Sequence, residues 1–269
     1  MAIYDCFQYN NEDHILDLRL NILDKFVDFF IISESTKNHQ GVQKKLNFKL
    51  KNFKKFDHKI KYIVSDYEKS DKIEKHFGGE SLIEQHQRNN LIEGIKDASD
   101  DDYIILSDID EIPNLDKMRE IDPKIKFIGF SQKMFMYKIN FLNINETGWI
   151  GSRVCKKKYL TSLQSLRNIK FKKYPFWRID KFKKIQIIEN GGWHFSFLQK
   201  PEKIVEKIKS YSHGEFNIKD FLDENKIKQK IEKGEDIFNR GYKIKRVEID
   251  SSFPKYIVEN KETLKEWII

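Results

Sequence analysis

Short runs of apolar, β-branched and aromatic residues alternate with segments of helical periodicity from the N-terminus to Asp108. The runs are AIYDCFQY, FVDFFIISES, KIKYIVSDY and YIILSD. Between them, Leu16 and Leu20 lie at helical spacing after Asn11, a candidate N-cap, and a second helix is predicted over about 81–99. Strands that alternate with helices pair in parallel, so the pattern predicts an α/β fold with a mainly parallel central sheet and flanking helices.

The sequence pattern changes after Lys126. Long aromatic-rich strand candidates, KFIGFSQKMFMYKINF and WIGSRVCKKKYL, indicate a mixed or antiparallel extension of the sheet. After Pro201, Ile204 and Ile208 lie at helical spacing, and Lys/Glu-rich segments continue to the end. Because no linker interrupts the chain, we predict one domain over 1–269, with a β-α half (1–125), a strand-rich part (126–200) and a helical C-terminal portion (201–269).

Net charge and composition narrow the class of protein. The chain carries 50 Lys and Arg against 42 Asp and Glu, a formal charge of +8. This excess suits an anionic partner such as a nucleotide diphosphate, a lipid surface or nucleic acid, although lysines spread along a chain also simply solvate its surface. Two cysteines are too few for a disulfide framework. With no signal-peptide pattern and no run of ~20 apolar residues, we expect a soluble cytoplasmic protein with at most peripheral membrane contact.

Three acids, Asp108, Asp110 and Glu111, follow an apolar strand in the stretch DDYIILSDIDEIPN. Carboxylates this close repel one another unless a cation lies between them. In an open parallel sheet, ligands bind beyond the carboxyl ends of the strands, where alternate residues can present side chains to one side. Oxygen ligands favour a hard ion that completes its shell with substrate phosphates. The stretch therefore predicts a Mn²⁺ or Mg²⁺ site on Asp108 and Asp110, with a phosphorylated substrate.

Other interpretations compete with a metal site on this stretch. A calcium-binding EF-hand loop needs an oxygen donor and a glycine where this chain has Ile112 and Pro113, so it is excluded. A haloacid-dehalogenase-like phosphatase also ends a strand with Asp-x-Asp, although usually at the first strand. A purely structural use, with the acids capping the next turn, stays open.

The helix before the acidic stretch brings Arg88 to the same edge of the predicted sheet. From Arg88 to Ala98 a helix rises ~15 Å, and from Tyr103 to Asp108 a strand returns ~17 Å. We therefore expect Arg88 level with Asp108. A guanidinium there can clamp phosphate oxygens or pair with the acids, and the sequence leaves both uses open.

Six motifs in order resemble those of a known family. They are DCFQYNNEDHILDLRLNIL, ISESTKNHQGVQKKLNF, QRNNL, IILSDIDEIPN, GGWHFSFL and SYSHGEF, within the span from Tyr4 to Phe216. Together they resemble glycosyltransferase family 17. The resemblance implies a GT-A fold, a nucleotide-sugar donor such as UDP-GlcNAc, a divalent metal ion, inversion at the anomeric carbon and a glycan or glycoconjugate acceptor. It implies no nucleic-acid partner, and it makes 1–125 the nucleotide-binding half and 126–200 the acceptor half.

The resemblance also implies roles for residues that match its motifs. Asp110 would bind the metal ion directly, and Asp108 would reach the ribose or a metal-bound water. His194 would turn toward the metal or the diphosphate. Glu12 and Glu34 would contact the uracil and ribose, although as exposed loop acids they are equally expected to cap helices.

Further residues have two possible uses each. Gly191 and Gly192 would let the backbone approach a ligand closely. Trp193 and Trp149 would stack on a sugar face or pack in the core. His213 would close over the donor or hold the C-terminal helices to the sheet.

An inverting transfer also needs a base for the attacking hydroxyl. The candidate carboxylates are Glu111, Glu146, Asp180, Glu189 and Glu215. We favour Glu111, which adjoins the predicted metal site, and Glu189, which adjoins the glycine pair. A non-catalytic carbohydrate-binding protein is the contrasting hypothesis.

Overall fold

The structure, a computed structural model, describes residues 1–68, 81–172, 177, 184–210 and 222–269. Its first half contains a group of parallel strands, as the β-α alternation predicts. These are β1 (Ile3–Gln8), β2 (Phe29–Ser35), β3 (Ile60–Ser65) and β4 (Tyr103–Leu106). β1 pairs in parallel with β2 and with β4, and β2 pairs in parallel with β3. The carboxyl ends of these strands therefore share one edge of the sheet.

The first helix, α1 (Asp13–Leu23), buries Leu16 and Leu20 in the core, as predicted. Its start differs from the prediction. Asn11 adopts a left-handed φ of 69° in the turn before the helix, so Glu12 and not Asn11 occupies the N-cap position. Glu12 consequently lies just beyond the carboxyl end of β1.

The second helix, α2 (Leu82–Asn90), begins where predicted and ends early. The side chain of Ser81 caps it by accepting a hydrogen bond of 3.1 Å from the amide of Glu84. After Asn90 the chain continues as a 3₁₀ helix, Leu91–Ile95, and not as the predicted α-helix to residue 99. Gly94 in this segment lies against Ile31 of β2, because a Cβ at Gly94 would come within 2.3 Å of that side chain.

The second half of the chain extends the sheet with antiparallel strands. The strands are β6 (Phe127–Met136), β7 (Phe141–Asn143) and β8 (Trp149–Lys156). β8 pairs antiparallel with β4 and with β6, and β6 pairs antiparallel with β7. A short connection, residues 137–140, joins β6 to β7, and two strands joined by a short turn pair antiparallel. The α/β class is confirmed, but the sheet is mixed and not mainly parallel.

The remaining strands complete the region beside the acidic stretch. These strands are β5 (Glu111–Pro113), β9 (Ile185–Ile188) and β10 (Gly192–Ser196). β10 pairs in parallel with β6 and antiparallel with β5, and β9 pairs in parallel with β6. A short helix, α3 (Leu163–Arg167), follows β8. β10 therefore carries its histidine next to the strand that begins with Glu111.

The portion after residue 200 is only partly helical. The α-helices in its described part are α4 (Pro201–Ser210), α5 (Glu224–Lys233) and α6 (Lys255–Glu259). β11 (Ile244–Arg246) lies between α5 and α6 and pairs antiparallel with β7, which the prediction of a helical portion missed. Ile204 and Ile227 pack with Met134 and Met136 of β6 in one hydrophobic cluster.

The largest hydrophobic cluster joins distant parts of the chain. It contains Phe7 of β1 and Ile257 of α6 together with side chains from β2, β4 and β6. The division into three parts within one domain stays a prediction. Within the described ranges, no helix combines the length and apolarity needed to cross a bilayer.

Candidate active site

A cavity of about 430 Å³ opens where the parallel strands end. The segments after β1, β2 and β4 supply one part of its wall, and β6, β10 and α4 supply another. Its charged lining residues are Glu12, Glu84, Asp108, Asp110, Glu111, Lys37, Lys44, Arg167, Lys207 and Arg240. Aromatic and thioether side chains also reach it, from Trp149, Phe197, Tyr242, Met134 and Met136. The cavity is therefore suited to a ligand with charged groups and a less polar part.

Arginines surround Asp108, the first acid of the Asp-x-Asp pair. Nη2 of Arg167 donates to Oδ2 of Asp108 at 2.8 Å, and a guanidinium nitrogen of Arg88 lies 3.9 Å from Oδ1. Burial alone would raise the pKa of Asp108, but the charge of Arg167 and then that of Arg88 lower it. The carboxylate is thus held ionised by protein cations while its side chain stays 40% exposed.

Glu111 is fully buried and firmly held beside Asp108. Its Oε2 accepts hydrogen bonds from the Asp108 amide at 2.8 Å and from Arg167 at 3.1 Å. Its Oε1 accepts a hydrogen bond of 2.8 Å from the indole of Trp149. Arg167 therefore bridges the two carboxylates, and Glu111 fixes the backbone from which Asp108 projects.

Asp110 has a different environment. Its Oδ1 lies 3.7 Å from Nε2 of His194 on β10. Burial alone would raise the pKa of Asp110, but His194 holds it well below its usual range. For His194, burial favours the neutral imidazole, yet Asp110, followed by Glu111 and Asp108, raises its pKa above the usual value. The two side chains form an ion pair at the cavity wall.

Glu12 lines the cavity close to Lys207 of α4. Oε1 of Glu12 lies 3.2 Å from Nζ of Lys207, and Oε2 accepts a hydrogen bond of 3.1 Å from the amide of Asn10. Burial raises the pKa of Glu12, partly offset by Lys207. This pair connects α4 to the start of α1 across the cavity.

The donor set at Asp110 fits a divalent ion completed by a substrate. Carboxylate oxygen and imidazole nitrogen are ligands of Mn²⁺ and related ions. Nδ1 of His194 is buried and has no hydrogen-bond partner among the described residues, so the protonated imidazole of the ion pair leaves one donor unsatisfied. In the described part of the chain, no three His, Cys, Asp or Glu side chains form a ready-made cage. Few protein ligands are typical of ions that also bind water and phosphate oxygens.

Glu34 lies behind the cavity wall and does not line the cavity. It is fully buried, and its carboxylate accepts hydrogen bonds from the amides of Asn47 and Phe48, at 2.8 and 3.0 Å, and from Tyr62 at 2.9 Å. Nζ of Lys44 also lies 2.7 Å from it. Among the described residues, Glu34 therefore neither lines the cavity nor caps a helix. It holds the loop backbone at Asn47 and Phe48 and binds Lys44, which does line the cavity.

Arg88 and Trp193 likewise lie outside the lining. Arg88 is level with Asp108, as helix and strand geometry predict, but it is 1% exposed and donates to Gln164 at 2.6 Å and to Glu84 at 2.8 Å. Trp193 is buried in the main core, and its indole donates to the carbonyl of Ser252 at 3.1 Å. The structure thus favours ion pairing for Arg88 and core packing for Trp193.

The glycine pair before His194 allows close packing of backbone within the sheet. Gly192 has a φ of 146°, and a Cβ there would lie 2.2 Å from the carbonyl oxygen of Ile112. A Cβ on Gly191 would lie 2.6 Å from the carbonyl oxygen of Ile188. Close approach is needed, as predicted, but to neighbouring protein backbone and not to a ligand.

The other predicted residues lie apart from the cavity or fall outside the described ranges. Glu189 is exposed in the turn after β9 and does not line the cavity. His213 lies outside the described residues, as do the base candidates Asp180 and Glu215. Of the two favoured bases, the structure brings only Glu111 to the cavity.

Arg167 and Lys207 reach the cavity without having been predicted. Arg167 is the last residue of α3, and Lys207 lies on α4, both far along the chain from the acids they contact. Each lies in a stretch rich in basic residues, where nothing local distinguishes it from a surface cation. Only the packing of α3 and α4 against the sheet identifies them.

A protein family and named enzymes are similar in sequence to this chain. The sequence profile described as "Glycosyltransferase family 17" matches residues 1–241. The human enzyme named β-1,4-mannosyl-glycoprotein 4-β-N-acetylglucosaminyltransferase is 21% identical over 235 residues, which cover 80% of this chain and 44% of that protein. The rat enzyme of the same name is 21% identical over 257 residues, 86% of this chain and 47% of that protein. The chain thus spans about half the length of these relatives.

Among solved structures, HddC from Yersinia pseudotuberculosis aligns with a TM-score of 0.35 and 12% identity, over 72% of this chain and 90% of that one. Similarity at this level does not define a shared fold. The profile match over most of the sequence does define the family. The chain belongs to glycosyltransferase family 17.

Proposed function

We propose that the protein is a metal-dependent, inverting glycosyltransferase of GT-A architecture. It transfers N-acetylglucosamine from UDP-GlcNAc to a sugar hydroxyl of a glycan acceptor. Family membership supports sugar transfer, and the names of the relatives support the choice of donor sugar. The observation that carries the proposal is the Asp110–His194 pair at a charged cavity beyond the ends of parallel strands.

In this proposal the donor's diphosphate faces both the Asp110–His194 pair and the cavity's cations. Asp110 and His194 hold the Mn²⁺ or Mg²⁺ ion, which when bound neutralises charge developing on the leaving UDP. Lys37, Lys44 and Lys207 reach the same cavity and are suited to phosphate oxygens. These side chains account for binding an anionic donor beside a cluster of acids.

Asp108 and Glu12 orient the nucleoside in the proposed complex. Arg167 fixes the Asp108 carboxylate, whose partial exposure leaves it accessible to a ribose hydroxyl. Glu12 lies beside the end of β1 with one oxygen bound to a backbone amide, and it is suited to accept a hydrogen bond from the base or ribose. Fixed acceptors of this kind select a hydrogen-bonding ligand over an apolar one.

Glu111 is the candidate base in this scheme. It lines the cavity, and Trp149 and Arg167 fix its orientation. Oε2 accepts two hydrogen bonds and Oε1 accepts one, from Trp149, so the second lone pair of Oε1 is the proposed acceptor of the hydroxyl proton.

The cytoplasmic location and peripheral membrane contact stay predictions.

Incubation of the protein with UDP-GlcNAc and Mn²⁺ tests the function. We expect slow release of UDP that stops when the ion is chelated, and β-configured N-acetylglucosamine as the first product of hydrolysis, since the donor is α-linked. A carbohydrate-binding protein without activity would release no UDP. A phosphatase of the haloacid-dehalogenase type would instead release phosphate from aryl phosphates, and either result would contradict the proposal.

A further inference from the structure

Arg19 is a fully buried arginine on α1 that does not line the cavity. A buried guanidinium is costly unless its charge is paired and its donors are satisfied. Its charge is paired by Asp5 of β1, which is also fully buried. Nε and Nη2 of Arg19 donate to the two carboxylate oxygens of Asp5 at 2.7 and 2.6 Å, a bidentate pair.

The other donors of Arg19 are directed to residues 107–111, which we call the acidic loop. Nη2 donates to the hydroxyl of Ser107 at 2.6 Å. Nη1 donates to the carbonyl oxygens of Asp108 at 3.0 Å, Ile109 at 3.2 Å and Glu111 at 3.0 Å. One side chain therefore contacts the acidic loop at four points.

The one carbonyl of residues 108–111 that Arg19 does not contact is that of Asp110. Its oxygen accepts a hydrogen bond of 2.9 Å from the amide of Phe195 on β10, the residue after His194. The backbone of the acidic loop is thus fixed by α1 on one side and by β10 on the other. Both acids of the Asp-x-Asp pair project from this fixed backbone.

We infer that Arg19, held by Asp5, is a positioning residue that sets the shape of the acidic loop and so aims Asp108 and Asp110 at the metal ion and donor. The inference rests on the proposed function for what the loop binds. Arg19 acts through the backbone, because neither it nor Asp5 lines the cavity. A lysine could neutralise Asp5, but its three donors could not make the six hydrogen bonds that the guanidinium makes.

The test separates positioning from charge neutralisation. Arg19→Lys keeps a cation beside Asp5 and removes the fork. The double variant Asp5→Asn/Arg19→Gln removes both charges at once, so neither group is left as an unpaired buried charge. It serves as the test variant if Arg19→Lys does not fold. Leu23→Ala is the matched control, because Leu23 is fully buried at the C-terminal end of the same helix, four residues after Arg19. Thermal unfolding shows that each variant is folded.

Two readouts follow the loop in folded variants. The first needs no ligand: the indole N–H resonance of Trp149, assigned with Trp149→Phe, reports the bond to Glu111. We expect it to shift or broaden in the Arg19 variants and to stay unchanged in Leu23→Ala. The second is calorimetric affinity for UDP with Mn²⁺, which we expect to fall about 10- to 100-fold in the Arg19 variants and to change little in the control.

The outcomes distinguish the inference from the function on which it rests. If folded Arg19 variants keep both the Trp149 resonance and the UDP–Mn²⁺ affinity of the parent protein, the positioning role is wrong. If Leu23→Ala loses both to the same degree, Arg19 is merely one of many residues that stabilise the fold, and the inference is also wrong. If the parent protein does not bind UDP with Mn²⁺, the proposed function fails, and the indole resonance still tests the loop.

Discussion

Asp108 and Asp110 are two residues apart, yet they lie in different halves of the site. The arginine side consists of Asp108, Glu111, Arg88 and Arg167, and the histidine side consists of Asp110, His194, Glu12 and Lys207. On the arginine side, two guanidinium groups that stay charged at any ordinary pH surround the acids. On the histidine side, Asp110 is paired with an imidazole that can lose its proton.

One short loop thus carries two carboxylates that are neutralised in different ways. A carboxylate paired with arginine is already neutralised by the protein and needs no metal ion. A carboxylate paired with histidine can exchange the imidazolium proton for a divalent ion and keep both side chains as ligands. In the proposed function, the metal ion therefore belongs on the histidine side, and the arginine side positions the donor.

Asp110→Ala should have the largest effect. It removes the carboxylate that we expect to bind the ion, so affinity for UDP in the presence of Mn²⁺ should fall by on the order of 100-fold or more. Calorimetry with and without Mn²⁺ measures this directly. Asp116→Ala is the control, since Asp116 is exposed and pairs only loosely with Lys25 at 3.4 Å. Equal UDP–Mn²⁺ affinity in both variants would break the distinction between the two sides.

Arg167→Ala should mainly destabilise the fold. It leaves Glu111 buried beside Asp108 without the cation that bridges them, and loss of one partner of a buried pair costs roughly 3 kcal/mol. Denaturant unfolding measures this free energy. Arg167→Lys should recover part of it by keeping the charge. A loss below about 1 kcal/mol in the alanine variant would show that the arginine side is not held as described.

The pH dependence of stability should separate the sides in protein kept free of metal by a chelator. His194 has a raised pKa, so its contribution is complete below the ordinary value of 6.5 and is lost as pH rises through the raised value. Asp110 has a lowered pKa, so its contribution is complete above 3.8 and is lost as pH falls through the lowered value. The Asp110–His194 pair therefore stabilises the fold most between these pH values.

The arginine side should behave differently on the alkaline limb. From about pH 6 to about pH 9 the free energy of unfolding of the parent protein should fall, because His194 loses its proton. It should fall less in His194→Gln, because the titrating imidazole is gone and arginine does not titrate in this range. Arg167→Ala should keep the alkaline loss of the parent. Denaturant unfolding at both pH values measures these differences, and an unchanged alkaline loss in His194→Gln would contradict the Asp110–His194 ion pair.

Trp149→Phe should have the smallest effect. It keeps an aromatic ring at the cavity and removes the donor to Oε1 of Glu111, a hydrogen bond to a carboxylate that is worth about 2 kcal/mol. Turnover should fall moderately, since Arg167 still holds the other oxygen. Thermal unfolding and a UDP-release assay measure both effects. A loss as large as that of Arg167→Ala would mean that the indole, and not the guanidinium, holds Glu111.

Regular geometry made part of the site predictable. Helix rise and strand rise alone place Arg88 level with Asp108, and parallel strands place the acids at a ligand-binding edge. Arg167 was not predictable, because its position depends on how α3 packs after β8, for which the sequence has no periodic signal. Arg19 did have a signal: it stands three residues after Leu16, among residues that face the core.

The same limit explains the errors in the fold. Local periodicity identified the parallel strands in the segment up to Asp108, because a turn bounds each element of that segment. The antiparallel pairing of β8 with β4 and the parallel pairing of β10 with β6 join segments distant in sequence. The glycine pair predicted close approach correctly, but the partner, the backbone beside Ile112, is set by tertiary structure.

A crystal grown with UDP and Mn²⁺, and measured for the anomalous signal of manganese, decides whether Asp110 and His194 bind the metal ion. We predict one manganese ion within bonding distance of a carboxylate oxygen of Asp110 and a ring nitrogen of His194, with diphosphate oxygens completing its shell. Asp108 should remain bound to Arg167. An ion bound elsewhere, or UDP bound while Asp110 remains paired with protonated His194, would contradict the account.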